Sequence, residues 1–229
     1  MRLIQIPFSH NCVKVRVALD LKGLAYETLN ISPVSRKAVV AASGQGLVPV
    51  LVDQGRAITD STRIVLYLEE RHPGRPLVPK DPALRAECLL LEDWADQAFM
   101  ALSRRVAYNT VVAIPGRLAA LFFPEDKGPA RWIKERIARR KVAQRFGLNA
   151  GRHAKDVVEA KRLAGLALAR LGSAPWLMGE EPNLADVALA TMSAPFVTDP
   201  ELRRDPDVAA LLSWGDALVP EDVRASYRG

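Results

Sequence analysis

Ser9 and Cys12 lie three residues apart, after a short β-prone run from Arg2 to Ile6 and at the start of a helical pattern. The chemistry this pair offers is that of a thiolate. A free thiol has a pKa of about 8.5, so little of it is ionised at neutral pH, and the thiolate is the nucleophilic form. A site that activates a thiol must stabilise the anion with a hydroxyl donor or with the unpaired N–H groups of a helix N-terminus. Ser9 carries such a hydroxyl, Asn11 is a further donor, and Cys12 is itself a candidate thiolate. Plainer roles stand beside these: a helix cap for Ser9 and a small buried side chain for Cys12. A second constellation is Asp60-Ser61, at the join between a hairpin and a helix. Helix-start N–H groups suit a carboxylate, and the same residues also serve as caps. Pro49, which lacks an N–H for a strand ladder, directly precedes the β-prone Val50-Leu51-Val52.

The elements that position these residues follow from periodicity. Residues 2–6 and 26–31 are β-prone, and between them Cys12, Val15 and Leu19 mark one helical face over Cys12 to Lys22, closed by Gly23. A β-α-β unit of this kind requires parallel strands. Val50–Val52 and Ala57–Thr59 flank a turn containing Gly55, which is a hairpin signal. A helix with Ile64, Val65 and Leu68 on one face follows, and a short helix is expected from about Ser35. Periodicity alone reads as mixed α/β, whereas the order βαβ then ββα matches a thioredoxin-like domain over residues 1–72. Prolines 73, 76, 79 and 82 mark residues 73–82 as a linker. Residues 83–229 form the second, all-helical domain. Helical patterns run over Leu84 to Val112, Pro129 to Phe146 and Asp156 to Leu171, and another begins at Asn183, which with Asp186 forms an N-capping pair.

Composition limits the function classes. Of 229 residues, 49% are hydrophobic and 25% charged, an ordinary globular balance. No apolar run approaches the roughly 20 residues that span a bilayer, and the start lacks the pattern of a signal peptide, so the expectation is a cytoplasmic protein without a membrane partner. Two cysteines and three histidines have no metal-ligand spacing, so no metal is expected. The formal charge of +6 is concentrated between Arg131 and Arg145. That segment reads as a solvated helix face or as a wall that draws in anionic ligands. Nucleic acid is not an expected partner, because no recognition motif accompanies the charge.

Four stretches carry a resemblance to the cytosolic glutathione S-transferase superfamily, of bacterial type: Phe8 to Arg16, Gly46 to Leu51, Asp60 to Glu69, and Asn183 to Asp186. Together they extend over nearly the whole chain. The resemblance implies glutathione as co-substrate, a small hydrophobic electrophile as second substrate, and a homodimer. It implies that Val48, before a cis Pro49, pairs through its backbone with the cysteinyl part of glutathione. Ser61 would hold the γ-glutamyl carboxylate and Asp60 the ammonium, although the usual acid at that position is Glu, with the amide Gln sometimes in its place. Arg36 and Lys37 are candidates for the glycyl carboxylate. Ser9 matches the serine of the serine-type branches and Cys12 the second position of a Cys-x-x-Cys pair. Two mechanisms stay open, transfer to an electrophile with Ser9 as donor and thiol-transferase or reductase chemistry on Cys12. A non-catalytic binding or regulatory role is a third reading. Residues from Trp94 to Tyr108 are candidates for the second-substrate wall.

Overall fold

The structure, a computed structural model, describes residues 1–228. It begins with β1 (Arg2–Gln5), α1 (His10–Leu21), β2 (Glu27–Asn30), α2 (Lys37–Ser43), β3 (Val50–Asp53), β4 (Arg56–Thr59) and α3 (Ser61–Arg71). The strands form one sheet in the order β2-β1-β3-β4, with β1 parallel to β2 and β3 antiparallel to both β1 and β4. The strand period of two divides its core. Leu3 and Leu51 face α1 and α3 through Val15, Leu19, Ile64 and Leu68, while Ile4 and Val50 face α2 through Val39.

α1 ends where Gly23 reaches φ +66°. The Leu24 N–H donates to the Leu19 carbonyl and the Gly23 N–H to the Asp20 carbonyl, a paired closure that requires a left-handed residue. Gly23 is therefore the stop that its position in the sequence suggests. The helical face expected on α1 is only half of what it buries. Val15 and Leu19 face the sheet, but Val13 and Val17 pack on Val187 and Ala190 of the helical region.

The remaining helices are α4 (Pro82–Ala98), α5 (Met100–Ala113), α6 (Arg117–Phe122), α7 (Pro129–Phe146), α8 (Ala150–Leu171), α9 (Leu184–Ser193), α10 (Pro206–Gly215) and α11 (Glu221–Arg228). Apart from an isolated bridge between Trp176 and Gly179, residues 82–228 contain no β-pairing. Pro82 opens α4 instead of continuing the coil before it. Asp81 caps the helix by accepting from the Ala83 and Leu84 N–H groups, and proline is well suited to a first position whose N–H needs no intrahelical partner. The pattern read as continuous from Leu84 to Val112 is two helices that meet at Phe99, whose fully buried side chain sits in the main core. α8 begins six residues earlier than its apolar pattern, where Asn149 caps it.

α9 is buried at every position and carries the reciprocal cap expected of Asn183 and Asp186. The Asp186 carboxylate accepts from the Asn183 N–H at 3.0 Å and also from the Leu177 N–H at 2.7 Å, which ties the preceding loop to the helix. No helix is long and apolar enough to cross a membrane among the described residues.

Candidate active site

Sheet register gathers the candidate residues. Ile4 lies opposite Val50, Val50 opposite Thr59, and Gln5 opposite Asn30. The last residues of β1, β2 and β4 therefore share one end of the sheet with the first residue of β3. Every segment that leaves or enters that end carries a candidate: Ser9 after β1, Arg36 after β2, Val48-Pro49 before β3, and Asp60-Ser61 after β4.

Ser9 is the N-cap residue of α1, half-buried, and its side chain makes no capping bond. Its backbone is committed, with the N–H donating to Ile6 and the carbonyl accepting from Val13, both at 2.9 Å. The hydroxyl is thus held on a fixed backbone without being consumed by the helix. Cys12 lies one turn inside α1 and is fully buried. Burial pushes its thiol up to about 11, against smaller opposing effects of the Ile6 backbone, the Ser9 hydroxyl, Arg36 and Arg16. Such a thiol is un-ionised at neutral pH. Asn11 is half-buried, and its Oδ1 is buried without a hydrogen-bond partner.

The Val48–Pro49 peptide is cis. The Val48 N–H and C=O take no part in the backbone hydrogen bonds of the described residues, so both groups are free to pair with an extended peptide. Asp60 is the N-cap residue of α3 with φ +73°, a region that non-glycine residues rarely occupy and that costs about 1–3 kcal/mol. Its Oδ1 accepts from the Arg63 N–H at 3.0 Å, and its carbonyl accepts from Ile64. The Ser61 and Thr62 N–H groups have no intrahelical acceptor. Ser61 is buried, and Asp60 is exposed. Arg36 precedes α2 with its Nη1 buried and unpartnered, while Lys37 is exposed.

The wall facing this sheet end comes from the helical region. Tyr108 of α5 stacks on Phe146 at the end of α7, with ring centroids 4.8 Å apart, and meets Phe122 of α6 edge-on at 6.3 Å. Trp94, at the other end of the expected segment, packs edge-on against Phe99 in the core instead. Two contributions carry no sequence signal. The Tyr227 hydroxyl of α11 donates to the Phe8 carbonyl at 2.8 Å, which closes α11 over the loop that holds Ser9. Lys14 of α1 is fully buried and bonds Thr62 of α3 at 3.2 Å, Asp96 of α4 at 2.8 Å, and Glu92 of α4. This network lies beneath the start of α3, and burial raises the pKa of Asp96 despite the nearby ammonium. An open cleft of about 940 Å³ runs along β4, α3 and residues 73–80, lined by Arg56, Tyr67, Glu70 and Arg85 among others. Of the candidate residues it contains none.

The family model described as "Glutathione S-transferase, N-terminal domain" matches residues 3–76. A maleylacetoacetate isomerase of Pseudomonas aeruginosa is 39% identical over 93 residues, covering 38% of this chain and 44% of the relative. A zeta-class glutathione S-transferase of Euphorbia esula is 38% identical over 137 residues, covering 58% of this chain and 57% of the relative. The chain thus spans about half the length of these curated relatives. The crystal structure of the beta-etherase LigF from Sphingobium sp. strain SYK-6 superposes with a TM-score of 0.70 at 21% identity, covering 99% of this chain and 98% of that one. That likeness establishes a shared fold over the whole length.

Proposed function

Given that the chain belongs, through residues 3–76, to the cytosolic glutathione S-transferase superfamily, we propose that it binds glutathione along the sheet end and transfers it to a small electrophile. In this reading Val48 pairs with the cysteinyl backbone, Ser61 and the start of α3 hold the γ-glutamyl carboxylate, Asp60 takes the ammonium, and Arg36 meets the glycyl carboxylate. Ser9 donates its hydroxyl to the glutathione sulfur and favours the thiolate, which attacks an electrophilic carbon on the side of Tyr108. Preorganised donors of this kind stabilise an anion without reorganising when it forms.

The observation that carries the reading is a half-buried Ser9 hydroxyl that caps no helix N–H, next to a buried, un-ionised Cys12. A reductase needs an accessible thiolate, and Cys12 has neither exposure nor a lowered pKa. The reading includes a homodimer, for which Leu84 and Leu90, exposed on α4, are apolar surface that a second subunit would cover.

Calorimetry of glutathione binding tests the placement. Losing a charged hydrogen bond costs about 1.5–3 kcal/mol, so Asp60→Ala and Ser61→Ala should each weaken binding roughly tenfold or more. Unchanged affinity in both variants would remove the γ-glutamyl end from this helix start. A wild-type protein that binds glutathione but turns over no electrophile would point to a non-catalytic binding role.

A further inference from the structure

The wall around Tyr108 holds more positive charge than the protein neutralises. Arg104 lies four residues before Tyr108, on the same face of α5. Phe146, stacked on Tyr108, follows Arg145, whose guanidinium lies 5.7 Å from the Phe146 ring centroid. Arg36 reaches the same region from the loop before α2, with Nη1 buried and unpartnered. That loop is tied to the wall, because the Ser32 hydroxyl donates to the Phe122 carbonyl at 2.7 Å.

No carboxylate among the described residues pairs with Arg104, Arg145 or Arg36. The contrast with neighbouring arginines is direct. Arg105, the next residue along α5, holds Asp156 with two bonds of 2.8 and 2.7 Å, and Arg16 holds Asp222 in the same way at 2.9 and 3.0 Å. Burial lowers the pKa of Arg104, opposed by Tyr108 and aided by a smaller effect of the Arg145 charge. The phenol of Tyr108, raised by burial, feels Arg104, Arg145 and Arg36 and no acid. Arg104 and Arg36 are half-buried and Arg145 is exposed at the rim, and like charges held near one another cost energy that a bound anion offsets. The charge of Arg104 is also felt at His10, the residue after Ser9, where it adds to the effect of burial in lowering the imidazole pKa.

We propose that this mouth binds an anionic group on a flat unsaturated body, an aryl carboxylate in the first instance, with Arg104 and Arg145 holding the carboxylate and Tyr108 and Phe146 the ring. The ligand's role as electrophile rests on the glutathione-transfer reading; its binding does not. An electrophile that is only hydrophobic leaves these guanidinium groups unused.

The test compares 4-chloro-3-nitrobenzoate with the uncharged 4-chloro-3-nitrobenzamide by calorimetry, without glutathione. The benzoate should bind at least about tenfold more tightly, the scale of one charge-assisted hydrogen bond. Arg104→Gln and Arg145→Gln should each erase most of that preference, while Arg136→Gln, also exposed on α7 but nine residues earlier and therefore on its opposite face, should retain it. With glutathione present, kcat/KM for the benzoate should fall about tenfold in Arg104→Gln and stay level for the benzamide. Equal binding of the two compounds, no binding of either, or a preference that survives Arg104→Gln and Arg145→Gln would overturn the proposal. So would an equal loss in Arg136→Gln, because a diffuse positive field would then explain the preference. A separate glutathione titration shows failure of the transferase reading, which leaves the anion result standing or falling by itself.

Discussion

At the scale of single residues, the division of labour between Ser9 and Cys12 is set by environment, not by intrinsic reactivity. The intrinsically better nucleophile is fully buried on α1 with its thiol pushed up to about 11. The weaker group sits half-buried at the helix start with a hydroxyl that caps nothing. Ser9→Ala should therefore raise the pKa of bound glutathione and lower turnover of an aryl halide by at least about tenfold, because one preorganised donor to a developing anion is worth about 2.7–4 kcal/mol. Glutathione affinity should change little, since the backbone and γ-glutamyl contacts remain. Cys12→Ala should keep nearly full turnover. Thiolate absorbance against pH, with steady-state rates on both variants, decides the point. A wild-type rate in Ser9→Ala together with an inactive Cys12→Ala would reverse the assignment.

At the scale of elements, α1 is the part on which the site most depends. It carries Ser9 at its start, faces the sheet with Val15 and Leu19, and faces α9 with Val13 and Val17. A helix buried on two sides has little room for a charge, yet Lys14 is fully buried there. Its ammonium is satisfied by Thr62, Glu92 and Asp96, which pin α1 to the start of α3 and to α4. Removing one partner of a buried ion pair leaves the other charge uncompensated and costs about 3–5 kcal/mol. Lys14→Met should lower the unfolding free energy by that amount in a urea titration at neutral pH. It should also weaken glutathione binding, because the network supports the turn at Asp60. A loss below about 1 kcal/mol would mean that water reaches Glu92 and Asp96 and that the network does not fix this corner.

At the scale of the whole molecule, the α/β part and the helical part share a core, and His10 lies at their contact. Its Nε2 is 3.3 Å from the Ser103 hydroxyl of α5. Burial, with a smaller effect of Arg104, lowers its pKa from 6.5 to about 3. The folded state then refuses a proton that the unfolded state accepts below about pH 6.5. The stabilisation is complete above that pH and declines as pH falls toward about 3, by about 1.4 kcal/mol per pH unit for one proton. Carboxylates add their own acid sensitivity, so the comparison must be differential. His10→Gln cannot take up this proton, and its unfolding free energy should fall less steeply between pH 6 and pH 4. Parallel curves for the two proteins over that range would place His10 in contact with water.

Local signals determined much of this protein. Gly23, the Gly55 turn, Asp60-Ser61 and the Asn183–Asp186 cap each work within a few residues through backbone geometry and nearest hydrogen bonds, so their positions could be read directly. The strand period fixed which faces of β1 and β3 are covered, and the order βαβ then ββα pointed to the sheet. Other features depended on contacts between residues far apart in the chain. Lys14 reads as a surface lysine until Glu92 and Asp96 arrive from 78 and 82 residues away. Tyr227 reaches Phe8 across 219 residues. The interruption at Phe99 has no glycine or proline beside it and coincides with a fully buried ring that meets Trp94 and Phe196 in the core. Arg104 and Arg105 are adjacent in sequence and identical in type. Only the packing of α5 against α8 and α7 gives Arg105 an aspartate and leaves Arg104 without a countercharge, because neighbouring helix positions point about 100° apart.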